Sequence, residues 1–150
     1  MYAALHNDAA ALRALLSAEG IDPNAKSKEQ EQTALMYVAY YNDAAALRAL
    51  LSAEGIDPNA KDNNNWTALM IAAQHEQLGP PKTSRIIDVH QNLLTLLQSG
   101  KCDLTITNKE GNTALEIARI NGCARNAAAI RAAMDGKFYD EYTIEPSAEN

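Results

Sequence analysis

Cysteine is scarce in this chain. The two that occur, Cys102 and Cys123, stand in unlike contexts with no paired spacing. That excludes a disulfide framework and points to a reducing compartment. Basic residues are in the minority as well: 13 Lys and Arg against 19 Asp and Glu leave a formal net charge of −6. They form no stripe, so a phosphate-backbone partner is excluded from the expectation. No apolar run approaches the roughly 18 residues of a membrane span, and no basic-then-apolar leader opens the sequence. The expected setting is the cytoplasm, with neither membrane nor nucleic acid among the partners.

The residue constellations that carry catalysis are missing too. No serine sits in G-x-S-x-G. Gly100-Lys101 would close a phosphate-binding loop, but the glycine required five residues earlier is Thr95. His6, His75 and His90 share no metal-ligand spacing, and the cysteines supply no C-x-x-C. Asp57-Pro58-Asn59 starts like a calcium loop, but Lys61 takes the next ligand position and the glycine is absent. Asn65-Trp66-Thr67 matches a glycosylation sequon that the absence of a leader makes idle. The chain is read as non-catalytic, with no cofactor and no metal. Cys102 and Cys123 are read as small packing residues.

What the chain does have is repetition. "NDAAALRALLSAEGIDPNAK" occupies residues 7–26 and recurs letter for letter at 42–61, 35 residues apart. Thr-Ala-Leu appears three times, at Thr33, Thr67 and Thr113. A fixed period of this length is the mark of a repeat architecture.

Each unit reads as two short helices and a turn. Leu35, Val38 and Ala39 fall at i, i+3, i+4 on one face of a first helix. Asn42 suits a left-handed C-cap, and Asp43 is the expected N-cap of a second helix. Leu47, Leu50 and Leu51 form the buried stripe of that helix, each worth roughly 1.5–3 kcal/mol when fully covered. Gly55 ends it, and Asp57-Pro58-Asn59 opens an extended turn. One such pair has too little apolar area to stand alone and must stack on a neighbour.

These residues resemble the ankyrin repeat family. Thr-Ala-Leu-Met-x-x-Ala is similar to its T-P-L-H-x-A signature, with Ala for Pro and Met for His. "GIDPNAK" and "NKEGNTALEIA" resemble its loop and tip segments. The resemblance implies an all-α fold, an ankyrin-repeat solenoid of helix-turn-helix units with short β-hairpin tips. It covers residues 1–136 as units 1–26, 27–61, 62–107 and 108–135. The third unit carries an insertion near 76–88, including Gly79-Pro80-Pro81 and Lys82, and Ser84 caps the helix that follows. The fourth has Arg131 where Leu51 stands, as a solvent-facing end requires. Residues 137–150, with Phe138, Tyr139, Tyr142 and Ile144 among acids, form an acidic tail outside the pattern.

The resemblance also implies a monomer that binds another protein through its tips and the inner face of its first helices. The matching tip positions are Glu29 and Gln32, then Asn63, Asn64 and Trp66, then Lys109 and Asn112. On the first helices they are His6, Tyr40, Tyr41, Gln74 and His75. Trp66 is the only tryptophan of the chain. With Tyr40, Tyr41 and His75 it is expected to form one patch across two units, because Trp and Tyr dominate interface hot spots. The competing reading has Trp66 and Tyr40 packing on neighbouring units to staple the stack. Tyr2 and Tyr37 are read as core substitutes for leucine. Three further settings stay open: a bacterial effector or toxin-neutralising protein, delivered into a host cell in the former case; an ankyrin fragment of a larger multidomain protein or enzyme; and an engineered array, which the irregular third and fourth units disfavour.

Overall fold

The computed structural model describes residues 9–41, 43–75 and 89–137. Among the described residues seven helices follow one another: α1 (Ala9–Leu16), α2 (Ala34–Tyr41), α3 (Ala44–Leu51), α4 (Ala68–Ala73), α5 (Val89–Gln98), α6 (Ala114–Ile120) and α7 (Ala124–Met134). Among the described residues no strand forms. The expected β-hairpin tips are therefore tight turns, each closed by cross-turn bonds rather than by a ladder.

The local chemistry sets the helix boundaries. Asp43 takes an extended backbone and its carboxylate accepts from Ala45 N and Ala46 N at 2.9 and 3.0 Å, so α3 starts there. The N-caps of α4 and α6 are threonines, Thr67 and Thr113, each the first residue of a Thr-Ala-Leu whose alanine begins the helix. At Thr113 the cap is reciprocal. Glu116 Oε2 accepts from the Thr113 backbone at 2.7 Å while Thr113 Oγ1 accepts from Glu116 N. The same backbone and side-chain bonds from Thr113 hold the Glu116 carboxyl below its usual range.

Packing runs in two rows. Each of α2, α4 and α6 meets the next in that order, and α1, α3, α5 and α7 do the same. The pairs α2–α3, α4–α5 and α6–α7 tie the rows together. The core lies between them. Leu35, Val38, Ala39, Leu47, Leu50 and Leu51 are buried, as their spacing requires. All six residues of α4 are buried, because α4 sits between α2 and α6 with α5 behind it. Arg131 is exposed on α7, as its replacement of leucine implies.

Side chains lace successive segments across the repeat. Asn24 Nδ2 donates to Gly55 O and its Oδ1 accepts from Asp57 N, both at 2.7 Å. Asn59, its counterpart in the duplicated phrase, does the same to Lys101 O (3.0 Å) and Asp103 N (2.7 Å). Each amide acts as an extra peptide unit between two extended loops, so backbone groups that no helix satisfies find partners. Buried Asn92 of α5 donates to Val38 O and Ala39 O at 3.1 and 3.3 Å, and buried Asn126 of α7 donates to Ala73 O and His75 O at 3.1 and 2.9 Å. Both satisfy carbonyls at the end of a first helix, where four are left over.

Tyr2, His6, the Asn42 cap, the insertion near 76–88 with Ser84, and the tail from Phe138 lie outside the described residues.

Candidate functional site

Three turns precede α2, α4 and α6, and each is built on a polar residue that folds back on its own backbone. Ser27 N donates to Gln32 O at 2.8 Å, and Ser27 Oγ accepts from Gln32 N. Asp62 N donates to Trp66 O at 3.0 Å, while Asp62 Oδ1 accepts from Asn64 N and Trp66 N, both at 2.8 Å. Asn108 repeats the pattern with Glu110 N and Asn112 N at 3.0 Å. The turns at Asp62 and Asn108 are Asx turns, in which the side chain replaces a backbone acceptor, and the Ser27 hydroxyl serves the first turn as a further acceptor. Neighbouring turns are joined edge to edge, by Asn63 N to Gln30 O and by Lys109 N to Asn64 O, each 3.1 Å. The row of turns is thus fixed by backbone bonds, and the side chains it carries are presented from a rigid base.

Between the first two turns and helices α2 and α4 lies a cleft of about 430 Å³. Tyr37, Tyr40 and Tyr41 of α2 form one wall and Trp66 another. Buried Met36 and Ile71 lie at its floor. Gln30, Gln32, Asn64 and Gln74 supply amides around it, and the Asp62 carboxylate lines it from the second turn. The rings of Tyr40 and Tyr41 meet edge to face, 5.1 Å between centroids and 81° between planes. Tyr40 meets His75 in the same way at 5.7 Å. Edge-to-face contact puts the positive edge of one ring on the negative face of the other, which holds the cluster in shape. Tyr40 and Tyr41 nevertheless remain 54% and 50% exposed. Large aromatic surface left in water on a fixed frame is unusual and marks a contact surface more often than a scaffold.

Six sequence-predicted residues line this one cleft: Gln32, Tyr40, Tyr41, Asn64, Trp66 and Gln74. His75 reaches it through Tyr40. Glu29 and Asn63 stay on the turns outside it, where Asn63 Nδ2 donates to Glu29 O at 3.4 Å. Lys109 and Asn112 belong to the third turn, away from the cleft, and the Asn112 amide donates to Glu110 there. Trp66 is half-buried and packs against the core as well as lining the cleft.

Tyr37 departs from its reading as a core residue. It is half-buried and faces the cleft. The signal was its spacing: Tyr37, Tyr40 and Tyr41 fall at i, i+3, i+4, a second face of α2 beside that of Leu35, Val38 and Ala39. Gln30 and Asp62 were also missed. Only the closure of the turns brings them to the cleft.

Elsewhere the chemistry is quiet. Burial pushes the Cys102 thiol up to about 11, with a Ser99 hydrogen bond opposing it weakly. Cys123 is buried, its Sγ 3.5 Å from Gln74 O. Among the described residues no three His, Cys, Asp or Glu side chains are grouped to hold a metal ion. Among the same residues no helix is long and apolar enough to cross a membrane.

A family model described as ankyrin repeats (3 copies) matches residues 1–80. No curated protein matches the sequence.

Proposed function

Since the chain belongs to the ankyrin repeat family, whose repeats bind other proteins, we propose that it is a non-catalytic module that captures a protein partner on the cleft between α2, α4 and the first two turns. The units 1–26, 27–61, 62–107 and 108–135 stack as a solenoid, with 137–150 as a tail beyond it. The observation that carries this reading is the pair Tyr40 and Tyr41, about half exposed yet held by ring contacts beside Trp66. The turns and helices are ordered before a partner arrives, so association loses little conformational entropy. A large aromatic then contributes most of its area to binding.

The test is a comparison of the wild-type chain with the double variant Trp66→Ala, Tyr41→Ala. Affinity purification from the native cell identifies a protein that only the wild type retains, and calorimetry on that pair gives the loss. A loss above about 2 kcal/mol with the array still folded is the expected result. Unchanged affinity, or a collapsed melting temperature, reduces the aromatics to staples.

A further inference from the structure

The composition of the cleft selects the kind of group it takes. Resting on the reading of the cleft as the partner-binding site, we infer that its occupant is an arginine side chain of the partner protein.

The first observation is charge. Among the described residues no lysine or arginine lines the cleft, and the one carboxylate that does is Asp62. The two bonds that Asp62 receives, from Asn64 N and Trp66 N, both end on Oδ1. Among the described residues no hydrogen bond to Oδ2 forms, so the second oxygen of this cleft-lining residue keeps its acceptor capacity. Lys26, on the same row of turns, is engaged with Lys61 O at 2.7 Å and Glu31 at 3.6 Å. An anion would meet the Asp62 carboxylate there with no cation among the described lining residues to offset it.

The second is the aromatic wall. Four aromatic residues converge on one space, and Tyr40 stands nearly perpendicular to Tyr41. A cation over the face of a Tyr or Trp is drawn by the ring quadrupole, most strongly where water is excluded. Right-angled rings offer such faces from two directions.

The third is the set of amides. Gln30, Gln32, Asn64 and Gln74 line the cleft, and each side-chain amide has a carbonyl oxygen able to accept from an incoming donor. An apolar side chain filling the space would strip these groups of water and give nothing back. A guanidinium carries five N–H donors in a plane, stacks on aromatic faces and is less strongly hydrated than an ammonium. It answers the carboxylate, the amides and the rings together, which a lysine cannot do with one point charge.

Trp66 is the sole tryptophan and lines the cleft, so its fluorescence reports occupancy directly. N-acetyl-arginine-N-methylamide is titrated against its uncharged isostere, N-acetyl-citrulline-N-methylamide. Arginine is expected to saturate at least about tenfold more tightly, and Asp62→Asn, which keeps the turn acceptor and removes the charge, is expected to erase the difference. Equal curves for the two compounds, or no saturation by arginine, overturn the inference. A second arm selects a random dodecamer peptide library on the wild type with counter-selection on Trp66→Ala. Arginine fixed at one position supports the inference. Peptides that need Trp66 but carry no arginine overturn it and leave the cleft standing as a binding site. No Trp66-dependent peptide at all removes both the arginine and the site.

Discussion

Leu15 and Leu50 are the same letter in the same twenty-residue phrase, yet Leu50 is 0% exposed and Leu15 is 45% exposed. α3, which carries Leu50, packs between α1 and α5 with α2 beside it, whereas α1 packs against α3. The phrase specifies a helix with an apolar stripe; the neighbours decide how much of the stripe leaves water. Leu50→Ala is therefore expected to cost about 2–5 kcal/mol through lost burial and the cavity left behind. Leu15→Ala is expected to cost no more than about 1 kcal/mol. Chemical denaturation of the two single variants checks this, and equal losses would contradict it.

The buried asparagines of α5 and α7 give a second comparison. Asn92 donates to two carbonyls of α2, and Asn126 to Ala72, Ala73 and His75 at and beyond the end of α4. Replacing either by alanine leaves those acceptors buried without a donor. Each variant is expected to lose about 1–3 kcal/mol, with Asn126→Ala the larger because its two shortest bonds, 2.9 and 3.1 Å, are tighter than the 3.1 and 3.3 Å of Asn92. Thermal melts rank them, and the reverse order would count against this account.

The three turns place different residues in the left-handed region: Glu31 at φ 55, Asn65 at φ 61 and Gly111 at φ 83. Glycine adopts this conformation freely and asparagine tolerates it, but a glutamate there is strained by roughly 1–2 kcal/mol. Glu31→Gly forfeits only the exposed Lys26 ion pair, a weak contributor. It is expected to raise stability by about 0.5–1 kcal/mol, while Asn65→Gly changes little. A denaturation midpoint that falls for Glu31→Gly would refute the strain argument.

Cys102 gives the pH dependence. Its folded thiol titrates at about 11, above the ordinary 9.0, because burial disfavours the thiolate. The folded chain then holds the proton that the unfolded chain releases. Stability from this group is intact below pH 9 and falls as pH rises toward 11. Melting temperatures of wild type and Cys102→Ala measured across that window should converge as pH rises. Alkylation of Cys102 by iodoacetamide near pH 8, followed by mass spectrometry, should be slower folded than unfolded. A constant difference in melting temperature, or equal alkylation rates, would tell against this.

The helix pattern was legible because it rests on local chemistry. Asp43 caps the helix it precedes, and Leu47, Leu50 and Leu51 fall on one stripe by spacing alone; the caps at Thr67 and Thr113 went unread behind their role as repeat markers. The aromatic residues of the cleft were legible as types, since Trp66, Tyr40 and Tyr41 stand out in a chain with few rings. Tyr37 was misread although its spacing held the answer. A tyrosine one residue from the core face points either way until a neighbouring turn closes over it.

By itself, then, the sequence determined the helix pattern, the start of α3 at Asp43 and that the units must stack, because capping bonds and helical periodicity act within a few residues. Tertiary structure alone decided that Leu50 is buried while Leu15 is not, that Asn92 and Asn126 find carbonyls on another unit, and that Asp62 shares a cleft with Tyr37. Those outcomes depend on groups brought together from distant parts of the chain. No local pattern encodes such a meeting; it exists only once the rows of helices have packed and excluded water between them.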